Sequence, residues 1–349
     1  MVKPPLLQPG DTIAAVSPSW GGPGLFPAIY ERGLRNLKTV FGLRIRELES
    51  ARRDPDELYR NPKLRADDLN RAFADPDVKA IIASIGGDDS VRILQYLDTD
   101  LIRANPKILM GYSDATTYLT TIHQLGLVTF HGPSIMAGLA QLEALPPAFT
   151  QHIRDLLMTP VASYDYRPYG LYSEGYPDWS HAETIGQVNP VQPDPAGWVW
   201  VQGADTTVDG LLYGGCIEVL EFVKQTPFWP EDSFWEDRIL FLEISEESPP
   251  PVWVKYWLRN YGIQGIFERV KAILVGRPRG YTPEQKQGLA QILQDVVGVE
   301  FGRPDLPIVA NMDFGHTDPQ WILPLGVRAQ LNGPQRTFRL IERCTSGGS

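Results

Sequence analysis

Short apolar runs alternate with amphipathic ones through the first 135 residues. Thr12-Ile13-Ala14-Ala15-Val16 predicts a buried strand. Leu25 to Phe41, with Ile29, Leu34, Leu37 and Val40 on one face, predicts a helix that closes at Gly42. The same reading gives strands over 43–48, 79–85, 107–110 and 127–131, and helices over 65–73, 91–97 and 114–124. Short apolar strands separated by helices predict an α/β fold whose parallel sheet is covered on both faces.

The pattern changes near residue 160. From Ser163 to Gln202 the chain is rich in Tyr, Trp, Pro and Gly and has no helical period. This stretch predicts a crossover, and with it three segments: 1–160, 161–205 and 206–349. In the last, helices are expected over 216–223, 252–261 and 283–297, and strands over 238–243, 270–275 and 307–312. The aromatics Tyr166, Tyr169, Tyr172, Tyr176, Trp198 and Trp200 are expected in a core or subunit contact, and Trp179 is the one singled out as a ligand contact.

Composition narrows the function. A net charge of −10 without any Lys/Arg cluster argues against a nucleic-acid polymer as partner. Two prolines and a glycine interrupt the apolar start before it reaches signal-peptide length, and no run approaches a membrane span, so a cytoplasmic protein is expected. Two cysteines, Cys216 and Cys344, support neither a disulfide framework nor a cysteine zinc site. No metal or cofactor is expected. Asp88, Asp89 and Asp114 could suggest a hard-metal site, but two of them read better as residues at helix N-termini.

In open α/β sheets ligands bind beyond the carboxyl ends of the strands. Those ends carry Gly86-Gly87-Asp88-Asp89, Gly111-Tyr112-Ser113-Asp114, Glu243, and Phe314-Gly315-His316-Thr317. A hydroxyl, a carboxylate, an imidazole and a glycine pair are the parts of an acyl-transfer site. Each also has a structural reading. Ser113 could cap the following helix, although Thr116 at the third position provides no capping box. The nucleophile-elbow pattern G-x-S-x-G is met by Gly111 but not by Ala115. Gly86-Gly87 could simply turn the chain, with Asp88 or Ser90 capping the next helix, or could offer backbone N–H groups to an oxyanion. Glu243 is preferred over Glu246 and Glu247 because a strand end orients a partner better than the acidic loop of residues 245–248, which is expected in solvent. Among five histidines, His316 fits the set, and His131 after its own strand is the rival.

Together, "SIGGDDS" at 84–90, "MGYSDAT" at 110–116, "LFLEISEE" at 240–247 and "ANMDFGHTDP" at 310–319 resemble the LD-carboxypeptidase family of serine peptidases. The stretch 61–87 is most similar to its microcin C immunity branch. The resemblance implies a flavodoxin-like N-terminal domain, a smaller mixed β/α C-terminal domain and a catalytic cleft between them. It also implies a homodimer without a metal. Carried onto this chain, it makes Ser113 the nucleophile, His316 the general base and Glu243 its partner. The backbone N–H groups of Gly87 and Asp114 would form the oxyanion hole, and Gly86, Asp88 and Trp179 would face substrate. The substrate implied is a small peptide-like or peptidyl-nucleotide amide. Muropeptide enzymes of the family tend to carry an arginine before the glycine pair, where this chain has Ser84-Ile85. A muropeptide carboxypeptidase and a catalytically silent binding protein are the alternatives.

Overall fold

The computed structural model describes residues 1–347. Five strands of the first half, β1 (Thr12–Val16), β2 (Arg44–Glu47), β3 (Val78–Ala83), β4 (Ile108–Gly111) and β5 (Thr129–His131), pair in parallel in the order β2-β1-β3-β4-β5. This is the flavodoxin-like order, whose ligand crevice lies at the switch between β1 and β3. β1, β3 and β4 are almost entirely buried, as expected for strands with helices on both faces.

The connecting stretch contributes β6 (Tyr164–Tyr166), the two-stranded ribbon β7 (Leu171–Tyr172) with β8 (Gln192–Pro193), and β9 (Val199–Gln202). Seven strands follow: β10 (Thr207–Cys216), β11 (Arg238–Glu243), β12 (Ala272–Gly276), β13 (Ile308–Met312), β14 (Leu323–Leu325), β15 (Arg328–Asn332) and β16 (Thr337–Leu340). A second sheet runs β6-β16-β15-β10-β11-β12-β13-β9, parallel from β10 to β13 and antiparallel at both ends. β14 leaves this sheet and pairs antiparallel with β5 at the edge of the first. The two sheets also meet where the Cys216 backbone N–H donates to Thr116 Oγ1 at 3.0 Å. One continuous core joins Phe130 and Ile135 of the first half to Leu212, Phe241 and Trp321 of the second. Among the described residues no helix is long and apolar enough to cross a membrane.

Local differences from the sequence reading have local causes. The helix expected from Leu25 breaks at Phe26 and restarts at Pro27, whose missing N–H suits a first helical position. Ser90–Tyr96 is a 3-10 helix, and neither Asp88 nor Ser90 caps it. Asp89 stands at its N-cap position, but its carboxylate holds the buried Arg65 at 2.6 and 3.0 Å. The helix from Pro283 is α-helical to Leu293 and widens into a π-turn over Gln294–Glu300. Tyr166 stacks on Phe338 and Trp198 meets Trp321 edge-on, as core aromatics.

Candidate active site

Past the end of β4 the chain is extended at Tyr112 and then turns sharply, with Ser113 at φ +61°. A non-glycine residue in the left-handed region is disfavoured by roughly 1–2 kcal/mol. Ser113 is not a helix cap: neither the 3-10 turn Ser113–Ala115 nor the helix Thr116–Gln124 carries a side-chain cap hydrogen bond. Gly86, one strand away, faces it. A Cβ on Gly86 would lie 2.8 Å from Ser113 Cβ, 2.9 Å from its Oγ and 3.5 Å from the Asp114 backbone nitrogen. The missing side chain therefore leaves a space bordered by both the hydroxyl and that amide. The Asp114 carboxylate points inward, accepting from the Ser90 backbone N–H at 2.9 Å and from the Ser19 hydroxyl, and burial raises its pKa.

Glu243 closes β11 and is fully buried. His316 follows β13 in the turn Phe314-Gly315-His316. Gly315 adopts φ +97°, and a Cβ there would sit 2.8 Å from Glu243 Cβ, so only glycine lets this turn approach the glutamate so closely. His316 Nδ1 donates to Glu243 Oε2 at 2.6 Å. Asp313 and Asp318, nearer in sequence, are committed elsewhere. Asp313 pairs with buried Arg277 at 2.9 Å and accepts from Trp198 Nε1, while Asp318 accepts from the Tyr176 hydroxyl.

The second imidazole nitrogen meets a residue expected in solvent. Glu246 Oε2 lies 2.7 Å from His316 Nε2, though without the alignment of a hydrogen bond. Burial opposes charge on His316, but Glu243 and Glu246 outweigh it and raise its pKa to about 10. Burial likewise pushes Glu246 up, and His316 reverses this, bringing it to about 2.

Ser113 and His316 line one cleft of about 350 Å³ with Gly86, Gly87, Asp88 and Trp179. Of the sequence-predicted site residues, Ser113, His316, Gly86, Gly87, Asp88 and Trp179 line this opening, while Glu243 and Asp114 are buried behind it, Glu243 against His316 and Asp114 next to Ser113. Tyr176, expected in the core, forms cleft wall beside Trp179, their ring centroids 5.6 Å apart. Sequence reasoning also missed Trp20, Tyr112 and Arg279, which line the same cleft. A second cleft of about 470 Å³ opens from Ser113 and Gly87 toward Phe222, Trp253 and Trp257. Among the other histidines, His123 and His152 are buried in structural hydrogen bonds and His181 is exposed. His131 lies behind Glu243, its Nε2 3.9 Å from Glu243 Oε1. Among the described residues no group of three His, Cys, Asp or Glu gathers as a metal-ligand set.

Comparison with known proteins places this chain in a family. Residues 13–132 match the LD-carboxypeptidase N-terminal domain and residues 209–331 the LD-carboxypeptidase C-terminal domain. The probable murein peptide carboxypeptidase of Bacillus subtilis is 28% identical, covering 99% of this chain and 96% of its own. The microcin C7 self-immunity protein MccF of Escherichia coli is 26% identical over 81% of this chain and 80% of its own. A structure of MccF in complex with aspartyl sulfamoyl adenosine superposes with a TM-score of 0.84 at 25% identity, covering 99% of this chain and 100% of that one. An MccF-like protein from Streptococcus pneumoniae in complex with AMP gives 0.85 at 29% identity, covering 96% and 99%. The chain belongs to the LD-carboxypeptidase family of serine peptidases and is a serine-type carboxypeptidase.

Proposed function

We propose that Ser113, His316 and Glu243 form the catalytic triad of an amidase that cleaves an acyl group from a nucleotide-bearing amine, in the manner of an immunity peptidase. The observation carrying this reading is the His316–Glu243 bond of 2.6 Å at a cleft shared with a serine held at φ +61°. Glu243 keeps the proton on Nδ1, so that Nε2 is the nitrogen able to take one. Once Glu246 moves off, His316 accepts the Ser113 proton as the hydroxyl attacks the amide carbonyl. The oxyanion develops in the space beside Gly86, within reach of the Asp114 and Gly87 N–H groups. His316 then protonates the leaving amine, and water resolves the acyl-enzyme.

The wall chemistry supports the substrate class. Trp20, Tyr176 and Trp179 bring aromatic side chains to the cleft for a base, and Arg279 on the same cleft offers a cation to a phosphate-like linker. The cleft toward Trp253 and Trp257 leaves room for the acyl arm. The reading includes a cytoplasmic homodimer, and exposed Tyr256 and Ile263 on the helix Pro251–Ile263 suit a subunit contact.

The test sets aspartyl sulfamoyl adenosine against a murein tetrapeptide, with hydrolysis followed by chromatography. Cleavage of the nucleotide conjugate with at least ~10-fold preference supports the proposal. Preference for the tetrapeptide assigns the chain to cell-wall turnover, as the Bacillus subtilis relative's name suggests. Binding without turnover, and no labelling of Ser113 by a fluorophosphonate, marks a silent binding protein.

A further inference from the structure

His131 has no part in the triad, yet it stands where it can act on it. The residue ends β5, opposite Gly111 of β4 and Leu323 of β14, and is fully buried. Its ring packs at 5.4 Å on Phe241, two residues before Glu243 on the same face of β11, and at 6.4 Å on Tyr112, which itself covers His316 at 5.0 Å. Three buried polar atoms meet here without a hydrogen-bond partner among the described residues: His131 Nδ1, His131 Nε2 and Glu243 Oε1.

Leaving a buried polar group unpaired costs about 1–3 kcal/mol. The 3.9 Å separating His131 Nε2 from Glu243 Oε1 exceeds a hydrogen bond, but a shift of about 1 Å closes it to ordinary length. Tautomer chemistry allows that bond. Glu243 is the acidic group that faces His131, and His316 the basic one. Burial, reinforced by the charge on His316, pushes the His131 pKa down to about 3, so at neutral pH it holds one N–H to donate. An ionised Glu243 only accepts, and its Oε2 is already taken by His316.

We propose that His131 is a positioning residue that donates Nε2–H to Glu243 Oε1, fixing the carboxylate so that Oε2 stays aimed at His316 Nδ1. This rests on the triad reading above and adds a fourth member, His131–Glu243–His316–Ser113, running from the first sheet through the second and back. The two anchored oxygens leave Glu243 no rotation that would release the imidazole. Donors that orient metal-ligating carboxylates and histidines change metal affinity or activity by about 10–100-fold when removed, and an effect of that scale is expected for a donor that orients Glu243.

The experiment compares His131→Phe, which keeps a ring but no donor, with His131→Gln, which keeps an N–H near the position of Nε2. Expected are a 10–100-fold lower kcat at unchanged KM for H131F, and recovery to within about 3-fold of wild type in H131Q. The downfield 1H NMR resonance of the His316 Nδ1 proton should be sharp in wild type and H131Q and broadened or lost in H131F. A folded H131F with wild-type kcat and an unaltered resonance overturns the proposal. So does an H131Q that folds but loses more than 10-fold, which decides the matter even where H131F fails to fold. The resonance needs no substrate, so a wild type inert to substrates and fluorophosphonate would refute the triad reading while the proton signal still tests the His131–Glu243 bond.

Discussion

Glu246 Oε2 and His316 Nε2 are 2.7 Å apart, so the imidazole lies between two carboxylates, with Glu243 on its other nitrogen. A general base must be neutral to accept a proton, and this arrangement favours the imidazolium up to about pH 10. Removing one anion destabilises the charged ring, so its pKa falls and the neutral base exists at lower pH. Glu246→Gln should therefore move the acid limb of the kcat/KM profile down by about one pH unit or more. A profile that coincides with wild type would show that Glu246 does not rest on His316 in solution.

Ser113 separates stability from activity. Glycine relieves the strain of φ +61° and removes the hydroxyl, so Ser113→Gly should be more stable by roughly 1 kcal/mol in urea unfolding. With Ser113 as the nucleophile of the proposed triad, it should also lose at least ~10⁴ in kcat, as should Ser113→Ala, because triad deletions fall steeply. A glycine variant that is destabilised would mean the turn depends on the serine side chain.

Much of this site could be read from the chain because its residues end apolar strands, and such strands announce themselves. β11 has four apolar residues before Glu243, and β4 runs apolar until Gly111. Where a partner depends on tertiary approach, the pattern is mute. Glu246 lies in a run of acidic and hydroxyl residues that reads as solvated, and nothing local tells that one of its carboxylates folds back on His316. β14 is a three-residue strand whose pairing with β5 spans almost 200 positions, so no periodicity could assign it to the first sheet. The Asp313–Arg277 pair spans 36 positions, so the sequence shows Asp313 three residues from His316 but not that its carboxylate serves another cation. The break at Pro27 had a signal, a proline at the first helical position, that the apolar spacing around it obscured.

Gly86 tests the proposed oxyanion site directly. Its φ is not in the left-handed region, so alanine meets no backbone penalty there, but the added methyl would sit 2.9 Å from Ser113 Oγ and 3.5 Å from the Asp114 nitrogen. Gly86→Ala also brings that methyl to 2.8 Å from Ser113 Cβ, so Ser113 must shift; the variant should melt several degrees lower and, while folded, lose at least about 10²–10³ in kcat, the scale of one oxyanion donor. Steady-state kinetics alongside thermal unfolding would check it. An active G86A variant would place the oxyanion elsewhere.

Trp179 discriminates between substrate classes. Its ring lines the Ser113 cleft beside Tyr176, and Phe26 meets it edge-on at 5.8 Å, which steadies one face and leaves the indole as cleft wall. Stacking of a base on an aromatic side chain contributes about 1–3 kcal/mol, or about 5- to 150-fold in affinity. If a nucleobase packs on the indole, Trp179→Ala should raise KM for aspartyl sulfamoyl adenosine by that factor. It should leave KM for a murein tetrapeptide, which has no base to stack, within about 2-fold. AMP should bind the wild type and lose affinity in W179A by a comparable factor, measurable by calorimetry with the phosphate arm of the ligand unchanged. Equal losses for nucleotide and tetrapeptide would instead make Trp179 a general wall of the cleft, and no loss for either would place the base away from it.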